Sequence, residues 1–380
     1  MSLIIDGTNG VTFNDSSLQP AAASPYVLKN KLINGAMVID QRNAGASVAT
    51  TTAGTGTYTL DRWQYYASQT SKFTVQQNAG SVTPPTGFNN YLGCTSSSAY
   101  SVLSTELFLI RQAIEGFNAS DLAWGTANAK TVTLSFQVYS SLTGTFGGAI
   151  YNYLGTRSYP FSYTISSANT WTQISITIAG DTSASWTSGG SSSNTNSGWG
   201  YISFNLGCGS AVSGTTGVWN SGTAFGPTGA TSVVGTNGAT WYITGVQLEI
   251  GTTATPFERR LYNQELANCQ RYYEKSFAIG TAPATNLGAG TGDVILSANT
   301  TVGNSYVSTV SFKVTKRTTA TVTLYNRQNA SNDWSWYNSA GTASNGGAVG
   351  SSSDNGFYCQ YTSVTTATVV AGHWTASAEL

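Results

Sequence analysis

Short runs in which apolar and polar residues alternate recur along most of this chain, and a period of two admits few folds. Phe73–Gln76, Val132–Tyr139, Ile174–Ile178, Tyr201–Leu206 and Trp241–Ile250 all follow it, bounded by clusters of Gly, Ser, Thr and Asn. Side chains of a strand point to opposite faces in turn, so such a run buries one face and wets the other, as antiparallel sheets do. Many such strands with no helix between them imply two sheets packed face to face, a jelly-roll β-sandwich over residues 29–258. The pattern resumes in Tyr306–Val314, Thr321–Tyr325, Gly356–Tyr361 and His373–Leu380, which predicts a second small β-sandwich over 278–380. Two long polar stretches, 181–200 and 207–240, interrupt the first sandwich; loops of such length are usually functional or disordered. The glycine runs Gly144–Gly148 and Gly288–Gly292 read as loops, with no strand, helix and lysine arranged around them as a phosphate cradle.

Two segments break the pattern. Between Arg259 and Lys275, Tyr262, Leu266, Cys269 and Tyr273 fall on one face of a helix, with charged residues around it. This predicts a helical joint over 259–277 between the two sandwiches. At the other end, Leu3-Ile4-Ile5 and Val11-Thr12-Phe13 flank a turn cluster and read as two very short strands, followed by a Pro- and Ala-rich linker to about residue 28. Such a hairpin cannot bury much alone. It fits either a socket supplied by a partner or a frayed terminus.

Charge narrows the function. Asp, Glu, Lys and Arg make up 8% of the chain, sixteen basic and sixteen acidic, against about 25% in ordinary domains. No clustered positive field is present for nucleic acid, and no basic patch or apolar span for a membrane. Solubility rests on hydroxyls and amides, whose contacts salt and pH barely alter. That suits work outside a cell, although Met1–Asp6 lacks the basic start and apolar run of a signal peptide. Cys94, Cys208, Cys269 and Cys359 have no metal or redox spacing and read as small hydrophobes.

Catalysis is poorly served. His373 is the single histidine, so a Ser-His-Asp or Cys-His site has one place to stand. Glu106, Glu115 and Asp121 are candidates for a glycosidic carboxylate pair or a structural calcium, against a plainer role as turn caps. No cofactor is expected. Binding is better served: Trp186, Trp199 and Trp219 sit in polar loops, and Trp334, Trp336 and Tyr337 cluster in the last domain. Rigid rings among Ser, Gly and Asn make adaptable binding surfaces, against the alternative of local packing.

Gly7–Gln19 resembles the N-terminal attachment segment of tailed-bacteriophage fibres and related virion proteins. Asn34–Arg42 with Leu60–Trp63 looks like the opening of their carbohydrate-binding-module-like jelly roll. Ile243–Gly251 with Ala254–Glu258 resembles its closing strand, Glu265-Leu266 and Cys269–Tyr273 its following helix, and Gly372–Leu380 the ending. The resemblance implies a homotrimeric fibre subunit on the virion surface, assembled in the host cytoplasm. Leu3, Ile4, Ile5, Val11 and Phe13 would meet another virion protein, and the body would adhere to a bacterial surface glycan or protein without catalysis. The alternatives are a structural or decorating virion protein and a glycan depolymerase.

Overall fold

In a computed structural model of the protein, the alternating runs pair as antiparallel sheets. The structure describes residues 4–6, 10–12, 18–19, 28–182, 186, 196–288, 294–297, 305–337, 343–362, 366 and 369–380. The N-terminal piece holds β1 (Ile4–Asp6), β2 (Gly10–Thr12) and β3 (Leu18–Gln19), a strand more than its sequence suggests. Leu3 and Phe13 lie outside the described residues, as do the side chains of Ile4, Ile5 and Val11.

The body contains β4 (Val48–Ala49), β5 (Gly56–Tyr58), β6 (Gln64–Ala67), β7 (Phe73–Gln77), β8 (Leu92–Ser96), β9 (Leu107–Glu115) and β10 (Val132–Ser140). It continues with β11 (Gly144–Asn152), β12 (Arg157–Ile165), β13 (Thr172–Ile178), β14 (Gly198–Cys208), β15 (Asn220–Ser221) and β16 (Thr240–Ile250). They form a six-stranded sheet, ordered β13-β10-β16-β8-β7-β4, and a seven-stranded sheet, ordered β15-β12-β11-β14-β9-β6-β5. This is the expected jelly-roll sandwich. Phe204 sits at the centre of its core, with ring centroids of Phe136, Trp241 and Phe161 at 5.1, 5.7 and 5.9 Å.

Gly144–Gly148 is not a loop. It opens β11, where glycine serves close approach: a Cβ on Gly148 would stand 1.9 Å from the Ser203 carbonyl oxygen, and one on Gly147 2.3 Å from that of Phe161. Most of the 207–240 stretch is also ordered, folding back over the seven-stranded sheet with Val233 and Val234 fully buried.

The helix α1 is shorter than its periodicity suggests, Tyr262–Gln270, and the chain then enters β17 (Tyr273–Lys275). There follow β18 (Val294–Ser297), β19 (Ser305–Ser311), β20 (Thr321–Tyr325), β21 (Trp334–Tyr337), β22 (Ala343–Ser352), β23 (Gly356–Thr362) and β24 (Val369–Ser377). All eight are hydrogen-bonded in one sheet around β24, which pairs with β17, β18, β20 and β21. The sheet folds over a second core in which Phe357 of β23 meets Trp374 of β24 at 5.5 Å.

Several of the few charges gather where the two cores adjoin. Glu379 receives Arg62 and, at 2.7 Å, Arg42, whose guanidinium groups lie over the rings of Tyr272 and Tyr273 at 3.6 and 3.7 Å. Arg271 grips Glu115 with two hydrogen bonds of 3.0 and 2.6 Å. Gln41 bridges Asp61 to the Tyr273 carbonyl, and Lys316 pairs with Glu274 in full burial.

Candidate functional site

Three of the predicted tryptophans come together, but inward. Trp186 and Trp199 are each 2% exposed and meet Trp124 at 4.8 and 5.1 Å. The half-buried Trp219 closes the group, 5.1 Å from Trp124. Each N–H whose bond is resolved is turned to the protein: Trp124 donates to the Lys130 carbonyl, Trp186 to Asp181 and Trp219 to the Ala179 carbonyl. Arg157 holds Asp181 with two 3.0 Å bonds. The cluster packs one region of the sandwich core, with Trp186 and Trp199 almost wholly buried in it. Trp334 is likewise buried, donating to the His373 carbonyl, and Tyr337 is buried and accepts a bond from Arg327. The Trp336 side chain lies outside the described residues.

The candidate carboxylates are engaged separately. Glu106 and Glu115 flank the length of β9, roughly 30 Å apart at about 3.3 Å per residue, so they do not flank one bond. Burial works to raise the Glu106 pKa, but hydrogen bonds from the Leu103 amide, Gln69 and Tyr100 outweigh it and hold the group below its ordinary value. Glu115 belongs to the Arg271 and Tyr272 contact, and Asp121 pairs with Lys31. Among the described residues no three His, Cys, Asp or Glu side chains cluster as metal ligands. His373 is buried and stacked on Phe277 at 4.1 Å. The four cysteines are free thiols.

What the sequence reading overlooked is a row of tyrosines on the outer face of the seven-stranded sheet. In β14, Ile202, Phe204 and Leu206 take the core, so Tyr201 must face out; in β11, Phe146 and Ile150 do the same for Tyr151. The strands set these two directly opposite each other. Tyr151 and Tyr201 stack at 5.1 Å with planes 22° apart, and Tyr153 and Tyr201 at 5.5 Å and 10°. Arg111 of β9 lies 4.6 Å from the Tyr201 ring and 5.3 Å from Tyr66. Phe225, from the segment folded over the sheet, closes one side against Tyr151 at 5.2 Å. Tyr151 is the buried floor, Tyr58, Tyr66 and Tyr201 are half-buried, and Tyr153 is 36% exposed. Burial pushes the phenol of Tyr58 up to about 12, with Glu379 adding to the rise. Tyr201 rises too, through burial, against the lowering effect of Arg111. The Tyr58 and Tyr201 rings therefore keep neutral hydroxyls across the physiological range. Such rings accept the C–H face of a sugar, while hydroxyl and guanidinium groups orient it.

A second aromatic group stands on the opposite sheet, where Tyr139 stacks on Tyr242 at 5.3 Å and 5°, with Tyr91 and Trp171 beside them. Both groups were signalled by aromatic residues in the solvent phase of alternating strands, as at Tyr139 after Val132, Leu134, Phe136 and Val138.

No protein-family model matches the sequence, and no curated protein sequence matches it. Among solved structures, the chain is similar to the enzymatically active domain of tailspike protein 4 of bacteriophage CBA120, at 14% identity and a TM-score of 0.32. That match covers 60% of this chain and spans 22% of the tailspike chain. A CBM4 structure is similar at 12% identity, covering 50% of this chain and 95% of that one, with a TM-score of 0.26. A family 11 carbohydrate-binding module from Clostridium thermocellum, in complex with a mixed-linked tetrasaccharide, is similar at 12% identity, covering 55% and 98%, with a TM-score of 0.25. At such scores these likenesses say nothing of function, which rests on the site itself.

Proposed function

We propose that the protein is a non-enzymatic adhesin that holds a bacterial surface glycan on the tyrosine face of its jelly roll. The observation that carries this is the near-parallel stack of Tyr151, Tyr201 and Tyr153 on an outer sheet face, with Arg111 among the rings. Stacked rings fixed by strand pairing lose little entropy when a sugar is laid on them. The order of motifs along the sequence supports the setting: a phage fibre subunit on the virion surface, trimeric, attached through residues 1–28 to another virion protein. Three copies would convert weak single-site contacts into avidity.

Binding of the purified chain to bacterial cells and isolated polysaccharides tests this, with light scattering for its mass. A double variant, Tyr153→Ala with Tyr201→Ala, should lose tenfold or more in single-site affinity, about 1.4 kcal/mol, while keeping its melting temperature within a few degrees. Undiminished binding by that variant would move the site elsewhere. A folded oligomer that binds no cell or glycan would point to a structural or decorating role.

A further inference from the structure

Most buried and half-buried arginines of the jelly-roll body and the joint are matched to a carboxylate. Arg62 and Arg42 share Glu379, Arg157 has Asp181, Arg260 has Glu258 and Glu265, and Arg271 has Glu115. Arg317, with no carboxylate partner among the described residues, donates to the carbonyls of Ala378, Asn196 and Glu379 at 2.9, 2.6 and 2.8 Å. Arg111 departs from this pattern. Among the described residues no carboxylate comes within 4.0 Å of it. Its two side-chain hydrogen bonds are long and neutral, 3.3 Å to the Tyr151 hydroxyl and 3.2 Å to the Gln64 side-chain oxygen. Its Nε is buried with no acceptor, as are those of Arg42 and Arg62, so the missing carboxylate is what sets it apart. Backbone of β5 shields it further: a Cβ on Gly56 would lie 3.0 Å from Arg111 Nη2.

A guanidinium has five N–H donors in a planar fork shaped for a carboxylate or phosphate. Tyrosine rings on its flanks favour the cation but accept none of those hydrogen bonds in the plane of the fork. A half-desolvated cation without a counter-ion is costly, and an arriving anion repays that cost there more than it would in water. The deficit sits in the middle of the tyrosine face, on the outer side of the sheet.

We propose that the glycan held on this face is anionic and that its carboxylate or phosphate group pairs with Arg111, an inference that rests on reading the face as a glycan site. Rings then supply area, and the single cation selects for charge.

The test uses the full chain and a panel of bacterial polysaccharides: uronic-acid-containing, phosphate-substituted and neutral. Each acidic member is measured beside its carboxyl-reduced or dephosphorylated form, in low and high salt. The charged form of at least one should bind tenfold or more tighter than its neutralised form, and salt should erode the difference. Which form shows it identifies the carboxylate or the phosphate as the partner. Arg111→Gln should bring the charged-to-neutral ratio close to one, and Arg111→Lys should keep part of it as a point charge without the fork. If Arg111→Gln does not fold, the wild-type ratio and the Arg111→Lys variant decide. Equal binding of charged and neutralised forms, or an unchanged ratio in the variants, overturns the charge inference and leaves the glycan reading standing. Failure to bind any glycan overturns both.

Discussion

Asp61 shows how far burial alone can move a group in this protein. Burial is the largest influence and raises its pKa to about 6, against the lowering pull of Arg42 and the two Gln41 hydrogen bonds, with Glu379 nearby adding to the rise. The folded state therefore holds a proton between about pH 4 and 6 that the unfolded chain has released. The stability this provides is complete below the ordinary carboxylate range and lost as pH rises through 6. Asp61→Asn, which stays neutral throughout, should be nearest to wild type in urea midpoint at pH 4 and gain on it towards pH 7. A constant offset across that range would mean that Asp61 titrates normally. Trp186 makes a plainer case: it fills the core among three other indoles, so Trp186→Ala should cost about 3–5 kcal/mol in urea denaturation. A cost near zero would mean that the ring is not packed there.

At the scale of elements, register decides which residues reach the core. In β16 the pairing with β10 shifts between Ser135 and Gln137, at Gly245, whose φ of 63° suits a bulge. The extra residue lets Trp241 and Ile243 before it, and Val246 and Leu248 after it, all face inward. In β11 the glycines allow two backbones to close on each other. Gly148→Val should therefore lower stability on the order of 3 kcal/mol, read by thermal denaturation, because backbone at 1.9 Å cannot yield. Gly280→Ala, with open space around it, should change stability by less than about 0.5 kcal/mol. Equal effects would refute the close approach. The end of α1 follows the same logic: Tyr273 continues the helical face, but pairing of Tyr273–Lys275 with Ser377–Thr375 supplies strand bonds that local periodicity cannot match.

Across the whole molecule, several of the segments that carry the fibre resemblance, 34–42, 60–63, 265–273 and 372–380, meet at the joint. Asn34 ties Ile39 and the Asp61 carbonyl together, Gln41 and Arg42 reach Tyr273 and Glu379, and Arg271 and Tyr272 return to Glu115. These side chains hold the two cores together. The joint should make the two sandwiches melt together, in one calorimetric transition. Glu379→Gln leaves two buried guanidinium groups without their anion, a loss of about 3–5 kcal/mol, and should separate that transition into two. Two transitions already present in the wild type would show the joint to be weak.

The all-β class, most of the long strands and the helix α1 were legible in the sequence, because period two and period 3.6 are local properties of neighbouring side chains. It also contained the tyrosine face, as aromatic residues in the solvent phase of strands whose other phase is apolar. What it could not assign was the direction of the loop tryptophans. Trp186 and Trp199 sit among serines and glycines, and only the position of Trp124 and Trp219 makes a core for them. Nor could it match cations to anions: Arg62 and Glu379 are 317 residues apart, and Arg111 is set apart by folding that brings no carboxylate of the described residues within 4.0 Å of it. Hydrophobic pattern is written residue by residue, whereas burial of an individual ring and neutralisation of an individual charge depend on partners distant in sequence, which tertiary packing alone selects.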